Sequence, residues 1–319
     1  MRSASVASVV GAVLIGSVLA VSANAQTEKG AASHPAKKLR IALVMKSLAN
    51  EFFLTMENGA KDHQKEHSSE YELIANGIKD ESDVKSQINI VDQMIVQKVD
   101  AIVIAPADSK ALIPVCKKAT DAGVVVVNID NKFDAGVLEE QGLKLPFVGP
   151  DNRKGAKLAA DYLAKSLKAG DQVAIIEGAP NAFNAVQRKM GFEDAMKAAG
   201  MSIVASQTAN WDMAKARDVV AQLLPSKPEL KAILCANDNM ALGTVAALKP
   251  SDKIFVVGFD NISAVQQLVK DGKVLCTVDQ HADKLAIYGI EYAREILMKK
   301  TMPADKETPV DLITRDNLK

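Results

Sequence analysis

Val126-Val127-Asn128-Ile129-Asp130-Asn131 and Val256-Val257-Gly258-Phe259-Asp260-Asn261 stand 130 positions apart and follow one plan. Each is a short apolar, β-branched run that stops at Asp-Asn. Such a run reads as a strand buried on both faces, as in a parallel α/β sheet. Ligands of these sheets gather beyond the carboxyl ends of the strands. The pair therefore predicts one sheet built twice, with a carboxylate and an amide at one strand mouth of each copy. Two matching sheets with polar mouths suggest one ligand held between two lobes.

Outward from these segments the chain alternates. Apolar runs at 39–45, 71–76, 99–105 and 124–130 are separated by helical periodicity at 51–67, 80–97 and 109–121. Within 80–97, Val84, Ile88, Val91 and Ile95 form one apolar stripe. A short strand at 145–149 and the turn Pro150-Asp151-Asn152 mark a change. The pattern restarts with strands at 172–177, 201–207, 231–236, 254–259 and 274–279. Helices are expected at 153–168, 183–199, 213–224, 239–248, 261–271 and 281–299, with a last strand near 309–313. Alternation of this kind requires parallel strands joined by right-handed crossovers.

At 319 residues the chain has length for two domains. Lys+Arg and Asp+Glu are equal at 39 each, which leaves no electrostatic footprint for nucleic acid. Arg2, the apolar stretch from Val6 to Ala20 and Ala23-Asn24-Ala25 describe a secretory signal peptide cleaved after Ala25. An uncleaved anchor is the rival reading, but the stretch is barely long enough and two glycines interrupt it. Residues 26–38 read as a polar leader. Of three cysteines, Cys235 and Cys276 are assigned to the third and fifth strands of the second sheet. One strand between them puts them about twice the ~4.8 Å interstrand spacing apart, too far to bridge. All three cysteines read as small buried apolar residues.

Catalytic signatures are missing from the sequence: no Gly-rich phosphate loop, no nucleotide fingerprint and no nucleophile elbow. His63-Gln64-Lys65-Glu66-His67 fits H-x-x-E-H, which could bind zinc on a helix. It falls in the last turns of a surface helix, where cationic side chains are favoured for electrostatic reasons alone. No metal, no cofactor and no enzymatic activity are expected.

The strand mouths offer planar polar groups and aromatics instead. Lys46 to Phe53 follow the first strand, and Asp130-Asn131 the fourth; Arg188, Trp211, Asn237-Asp238, Asp260 and Gln280 come from the second half. Sugar hydroxyls donate and accept, so their pocket needs carboxylates, amides and a guanidinium fork. A sugar's C–H face needs a flat aromatic cover, which Phe52, Phe53 and Trp211 could supply. Each also has a plainer role: Phe52 as helix core, Arg188 as a solvated charge, Asn237 or Asp238 as an N-cap.

Ser47-Leu48-Ala49-Asn50-Glu51-Phe52-Phe53, Asn237-Asp238-Asn239-Met240-Ala241-Leu242-Gly243 and Val256-Val257-Gly258-Phe259-Asp260 carry a resemblance to the ribose-type periplasmic sugar-binding proteins of ABC importers, over 39–319. The resemblance implies two similar doubly wound parallel-sheet α/β lobes joined by a three-strand hinge. It places 39–149 plus 281–311 in the first lobe and 150–280 plus 312–319 in the second. It implies hydrogen bonds to the ligand from Asn50, Asp130, Arg188, Asn237, Asp260 and Gln280, and aromatic packing from Phe52, Phe53 and Trp211. Lys46 stands where a small polar residue is usual, and Asn131 where an arginine grips the sugar. Trp211 replaces a phenylalanine. These departures imply a cargo other than ribose, a sugar alcohol or a related monosaccharide, with Lys46 and Asn131 setting specificity. Asn261 is expected only to cap the following helix.

A monomeric periplasmic protein that delivers its sugar to an inner-membrane permease is the expected role, with a chemoreceptor as a second candidate partner. A sugar-responsive transcription regulator shares the two-lobed fold but needs a helix-turn-helix ahead of it, where the signal peptide stands. An α/β enzyme lacks its nucleophile and cofactor motifs.

Overall fold

The computed structural model describes residues 38–318. The expected signal peptide and all but the last residue of the leader lie outside the described residues. The first half runs β1 (Leu39–Ser47), α1 (Glu51–Glu66), β2 (Tyr71–Ile78), α2 (Val84–Val96), β3 (Ala101–Ile104) and α3 (Ile113–Asp121). It continues through β4 (Val125–Ile129), α4 (Ala135–Glu140) and β5 (Phe147–Pro150). The second half runs α5 (Asn152–Ala164), β6 (Gln172–Glu177), α6 (Phe183–Ala198), β7 (Ser202–Thr208) and α7 (Met213–Leu223). It continues through β8 (Leu230–Cys235), α8 (Asp238–Ala247), β9 (Phe255–Val257), α9 (Ser263–Lys270) and β10 (Cys276–Asp279). Last come α10 (Ala282–Lys299), β11 (Lys306–Thr308) and β12 (Asp311–Thr314).

Two sheets result, ordered β2-β1-β3-β4-β5-β11 and β7-β6-β8-β9-β10-β12. Every pairing is parallel except β12 against β10. These are two α/β lobes of the same doubly wound kind. In each, the strand order reverses beside the first strand, where such sheets open a crevice. Gln87 of α2 clamps that point in the first lobe. Its Nε2 donates to the carbonyls of Met45 and Ala105 (3.1 and 2.8 Å), and its Oε1 accepts the Ala107 N–H at 2.8 Å. A buried amide with all its groups paired fixes the C-terminal ends of β1 and β3 relative to each other.

The chain passes between sheets three times: after β5, after β10, and between β11 and β12. The single strand expected near 309–313 is thus two strands, one for each sheet. α4 is a further element the sequence reading lacks; none of its residues is buried, so it carries no apolar stripe. α10 returns to the first lobe and packs on α1 and β4. Cys235 on β8 and Cys276 on β10 have β9 between them, and all three cysteines are buried free thiols. Among the described residues, no helix is long and apolar enough to cross a membrane.

Candidate functional site

The two Asp-Asn segments end at facing strand mouths. Asp130 and Asp260 both leave the extended conformation, with φ of 61° and 125°. Side chains other than glycine seldom adopt such values, and they are held there by surrounding structure. Both carboxylates face one cavity between the lobes.

α1 supplies the aromatic wall on the first-lobe side. Asn50 is its N-cap: Oδ1 accepts the Phe52 N–H at 3.1 Å, which leaves Nδ2 to donate to Glu81 Oε1 at 2.8 Å. Phe52 and Phe53 meet edge to face, with centroids 5.0 Å apart. Lys46 at the end of β1 sits 3.1 Å from Asp130 Oδ2 and 4.0 Å from Glu81 Oε2. Its ammonium lies between the rings of Phe53 and Trp211, 5.7 and 5.8 Å from their centroids.

Across the cleft, Arg188 projects from α6. Its Nε donates to Asn152 Oδ1 at 2.8 Å, and one terminal nitrogen donates to the Ala236 carbonyl at 2.9 Å. The same nitrogen is 3.4 Å from Asp260 Oδ1, which also accepts from Gln280 Nε2 at 2.7 Å. The guanidinium stacks 3.7 Å from the Phe259 ring centroid. Trp211 has positive φ and lays its ring against Gly178, where a Cβ would fall 2.2 Å from the indole. Asn237 caps α8 by accepting the Met240 N–H at 2.9 Å, its Nδ2 donates to the Trp211 carbonyl at 3.5 Å, and the residue lines the cavity.

Lys46, Asn50, Phe52, Phe53, Asp130, Arg188, Trp211, Asn237, Asp260 and Gln280 therefore surround one cavity. Asn131 does not. It lies fully buried beside the cavity, with Nδ2 donating to the Pro106 carbonyl at 2.9 Å. The turn forced by Asp130 leaves no continuous strand to carry both neighbours to the cleft. Glu81 and Asn184 line the wall without having been singled out in the sequence. Asn184 sits four residues before Arg188 and so shares its helix face. Glu81 follows β2, at another strand mouth of the first sheet; its polar neighbours Lys79, Asp80 and Ser82 hide it. Asn261 is a second correction. The N-cap of α9 is Ile262, and the Asn261 amide instead donates to Asp279 Oδ2 at 3.0 Å.

Three acceptor oxygens of the wall have no hydrogen-bond donor: Asp130 Oδ2, Asn184 Oδ1 and Gln280 Oε1. Lys46 is close to the first, but at an angle that makes no hydrogen bond. Buried acceptors without donors cost free energy until one is supplied. Burial also raises the pKa of Glu81 and Asp260 above the usual carboxylate range, against the pull of Lys46 and Arg188 respectively. The wall carries both signs of charge: the carboxylates of Glu81, Asp130 and Asp260 against Lys46 and Arg188.

Asp238 lies behind this wall and holds it. Its Oδ1 accepts from Thr277 Oγ1 at 2.7 Å and its Oδ2 accepts the Ile262 N–H at 2.9 Å. Burial pushes its pKa up to about 7 in spite of these bonds. The native state then holds the proton more tightly than the unfolded chain, whose value is 3.8. The resulting stability is fully present below that value and is lost as pH rises through about 7. Relative to Asp238→Asn, the wild-type melting temperature should therefore fall by several degrees from about pH 4 to about pH 8. A constant difference would refute the protonation.

His63 lies in the last turn of α1 and His67 is its C-cap, and Glu291 of α10 comes within a metal's reach of both. Each partner is already engaged. His63 Nδ1 is 2.9 Å from the Tyr71 hydroxyl and Nε2 is 3.1 Å from Glu291 Oε1, while Arg294 bonds both Glu291 and Glu70. Arg294 supplies the positive charge of this group, and burial lowers the His63 pKa.

Two α/β lobes with a polar, aromatic-walled cavity between their strand mouths define a receptor for a small solute. Residues 41–301 match the family described as periplasmic binding protein domain, and the chain belongs to it. It is 58% identical over 285 residues to the D-ribose/D-allose-binding protein of Pseudomonas aeruginosa, covering 87% of this chain and 89% of that protein. A solute-binding protein of an ABC transporter from Burkholderia multivorans, with an unknown ligand described as α-D-erythrofuranose, superposes with a TM-score of 0.86. It is 57% identical, and the match covers 88% of this chain and 100% of that one. One from Actinobacillus succinogenes with bound D-allose gives 0.83 at 36% identity, covering 88% and 98%.

Proposed function

We propose that this protein captures one neutral monosaccharide between its lobes as the solute-binding component of an ABC importer, with the aldohexose D-allose preferred over D-ribose. The carrying observation is the set of three buried acceptors, Asp130 Oδ2, Asn184 Oδ1 and Gln280 Oε1, around one cavity. Hydroxyl groups are the donors that would satisfy them, and the mixed charges of the wall favour no net charge on the solute. Lys46 extends from β1 toward Glu81 and Asp130, where the additional hydroxymethyl group of a hexose would find a donor and two acceptors. The relative from P. aeruginosa, named for both D-ribose and D-allose, supports the same pair of sugars here.

The protein is not an enzyme in this reading: binding and closure complete its task. It works in the periplasm as a monomer and hands its sugar to a permease in the inner membrane. Ligand bound by both lobes favours the closed state, since only that state makes all the contacts. A thermal-shift panel of D-allose, D-ribose, other pentoses and hexoses, and sugar alcohols checks the assignment. D-allose at about 100 times its Kd should contribute about 2.7 kcal/mol, the largest shift of the panel at equal concentration. Stabilisation by sugar alcohols alone would favour the acyclic cargo suggested by the sequence, and no shift with any sugar would sink the assignment.

A further inference from the structure

Every helix begins with N–H groups that have no partner inside the helix. In the second lobe, α5, α7 and α8 cap themselves. Asp151, Asp212 and Asn237 accept the N–H groups of Lys154, Lys215 and Met240 at 2.9, 2.7 and 2.9 Å. α6 and α9 cannot, because their N-cap residues are Ala182 and Ile262. Their first N–H groups are met from the other lobe. Phe183 N–H donates to Ser109 Oγ at 2.9 Å, and Asn184 N–H to Asn131 Oδ1 at 3.1 Å. Ser263 N–H donates to Glu51 Oε1 at 2.8 Å.

The acceptors are themselves held in place. Within the first lobe, Ser109 Oγ donates to Asn131 Oδ1 at 3.3 Å and the Ser109 carbonyl accepts the Asp134 N–H at 2.8 Å; across the cleft, the Ser109 N–H donates to the Asn181 carbonyl at 3.1 Å. Asn181 Nδ2 donates back to Asp108 Oδ2 at 2.7 Å. Glu51 brings a carboxylate to the N-terminus of α9, where the helix dipole favours negative charge.

We propose that Ser109, Asn131 and Glu51 form a latch that caps α6 and α9 only when the lobes are closed. Opening the lobes hands these N–H groups to water; closing them completes two helices of the second lobe. α6 carries Asn184 and Arg188, so its completion and the ordering of that part of the cavity wall are one event. Asn131 thereby acts on closure and not on the choice of sugar. All three are positioning residues, and their effect falls on how long a solute stays bound. The inference rests on the reading of the cleft as the solute site.

Phe183→Pro and Ser109→Ala test the latch from its two sides. Proline is well tolerated at the first helical position and removes the N–H. Ala182 already has φ −105° and ψ 124°, which suits a residue before proline. Phe183→Ala keeps the N–H and serves as the control. With D-allose and D-ribose as probes in stopped-flow fluorescence, each of the two variants should dissociate about 5-fold faster, the loss expected of one cap. Association rates and the control should stay within about 2-fold. The double variant should be no faster than Ser109→Ala alone, because proline removes only a bond that Ser109→Ala has already removed. Unchanged dissociation, or two independent effects that multiply, would overturn the latch. If neither sugar binds the wild type, the solute assignment fails separately. The latch is then read from amide hydrogen exchange at Phe183 without ligand: faster exchange in Ser109→Ala supports it, and equal rates overturn it.

Discussion

Asp260→Ala is expected to abolish solute capture and ligand-driven closure while leaving both lobes folded. The Asp260 carboxylate accepts from Gln280 at 2.7 Å and stands 3.4 Å from Arg188. Without it, Gln280 Nε2 loses its acceptor and the buried guanidinium loses its nearest charge. Breaking a buried pair from one side costs about 3–5 kcal/mol. Arg188 keeps Asn152, the Ala236 carbonyl and the Phe259 ring, so the fold survives at a lower melting temperature. Adding the lost contact to the solute, affinity for D-allose should fall at least about 10³-fold by calorimetry. Small-angle scattering with and without sugar should then show no compaction. Asp260→Asn, which keeps an oxygen for Gln280, should retain more affinity than alanine. Ligand-driven closure that persisted in Asp260→Ala would place the site elsewhere.

Gly191→Ala is expected to damage the fold, although it touches no part of the cavity. A Cβ at Gly191 would lie 2.2 Å from the Arg153 carbonyl oxygen and 3.0 Å from both the Ala156 Cβ and the Lys157 nitrogen. The obstacle is backbone, which cannot rotate aside as a side chain could. α5 and α6 must separate, and overpacking of this kind costs about 1–3 kcal/mol or more. Arg188 lies one turn earlier on α6 and is tied to Asn152 of α5 at 2.8 Å. Separation of the helices therefore also pulls the guanidinium from the cavity wall. A melting temperature lowered by several degrees together with about tenfold weaker D-allose binding is the expected outcome. An unchanged melting temperature would mean that the helices part more freely than their packing indicates.

The strands of the core were legible because they are buried on both faces, and such runs admit few residue types. β3, Ala-Ile-Val-Ile, is buried throughout and reads so directly. α4 was hidden for the converse reason: with no buried residue it needs no apolar period. β11 and β12 together span few residues and owe their strand character to their partners, β5 and β10. In the site, the strand-mouth rule picked out Asp130, Asp260, Asn50 and Asn237 because the C-terminal ends of parallel strands share one edge. Glu81 escaped notice in a polar loop, where a buried carboxylate looks like its exposed neighbours. Asn184 escaped although it shares a helix face with Arg188.

The two Asp-Asn strand ends thus determined the fold family and the side of each sheet on which a solute would lie. Hydrophobic periodicity is a property of the chain alone, and it can be satisfied in one way here. What tertiary structure decided is the division of labour after each aspartate. Asn131 and Asn261 occupy equivalent places, yet one reaches across to α6 and the other stays within its own lobe on Asp279. That difference depends on which uncapped helix end faces each amide once the lobes meet. Contacts between parts of the chain so distant leave no periodic trace in the sequence.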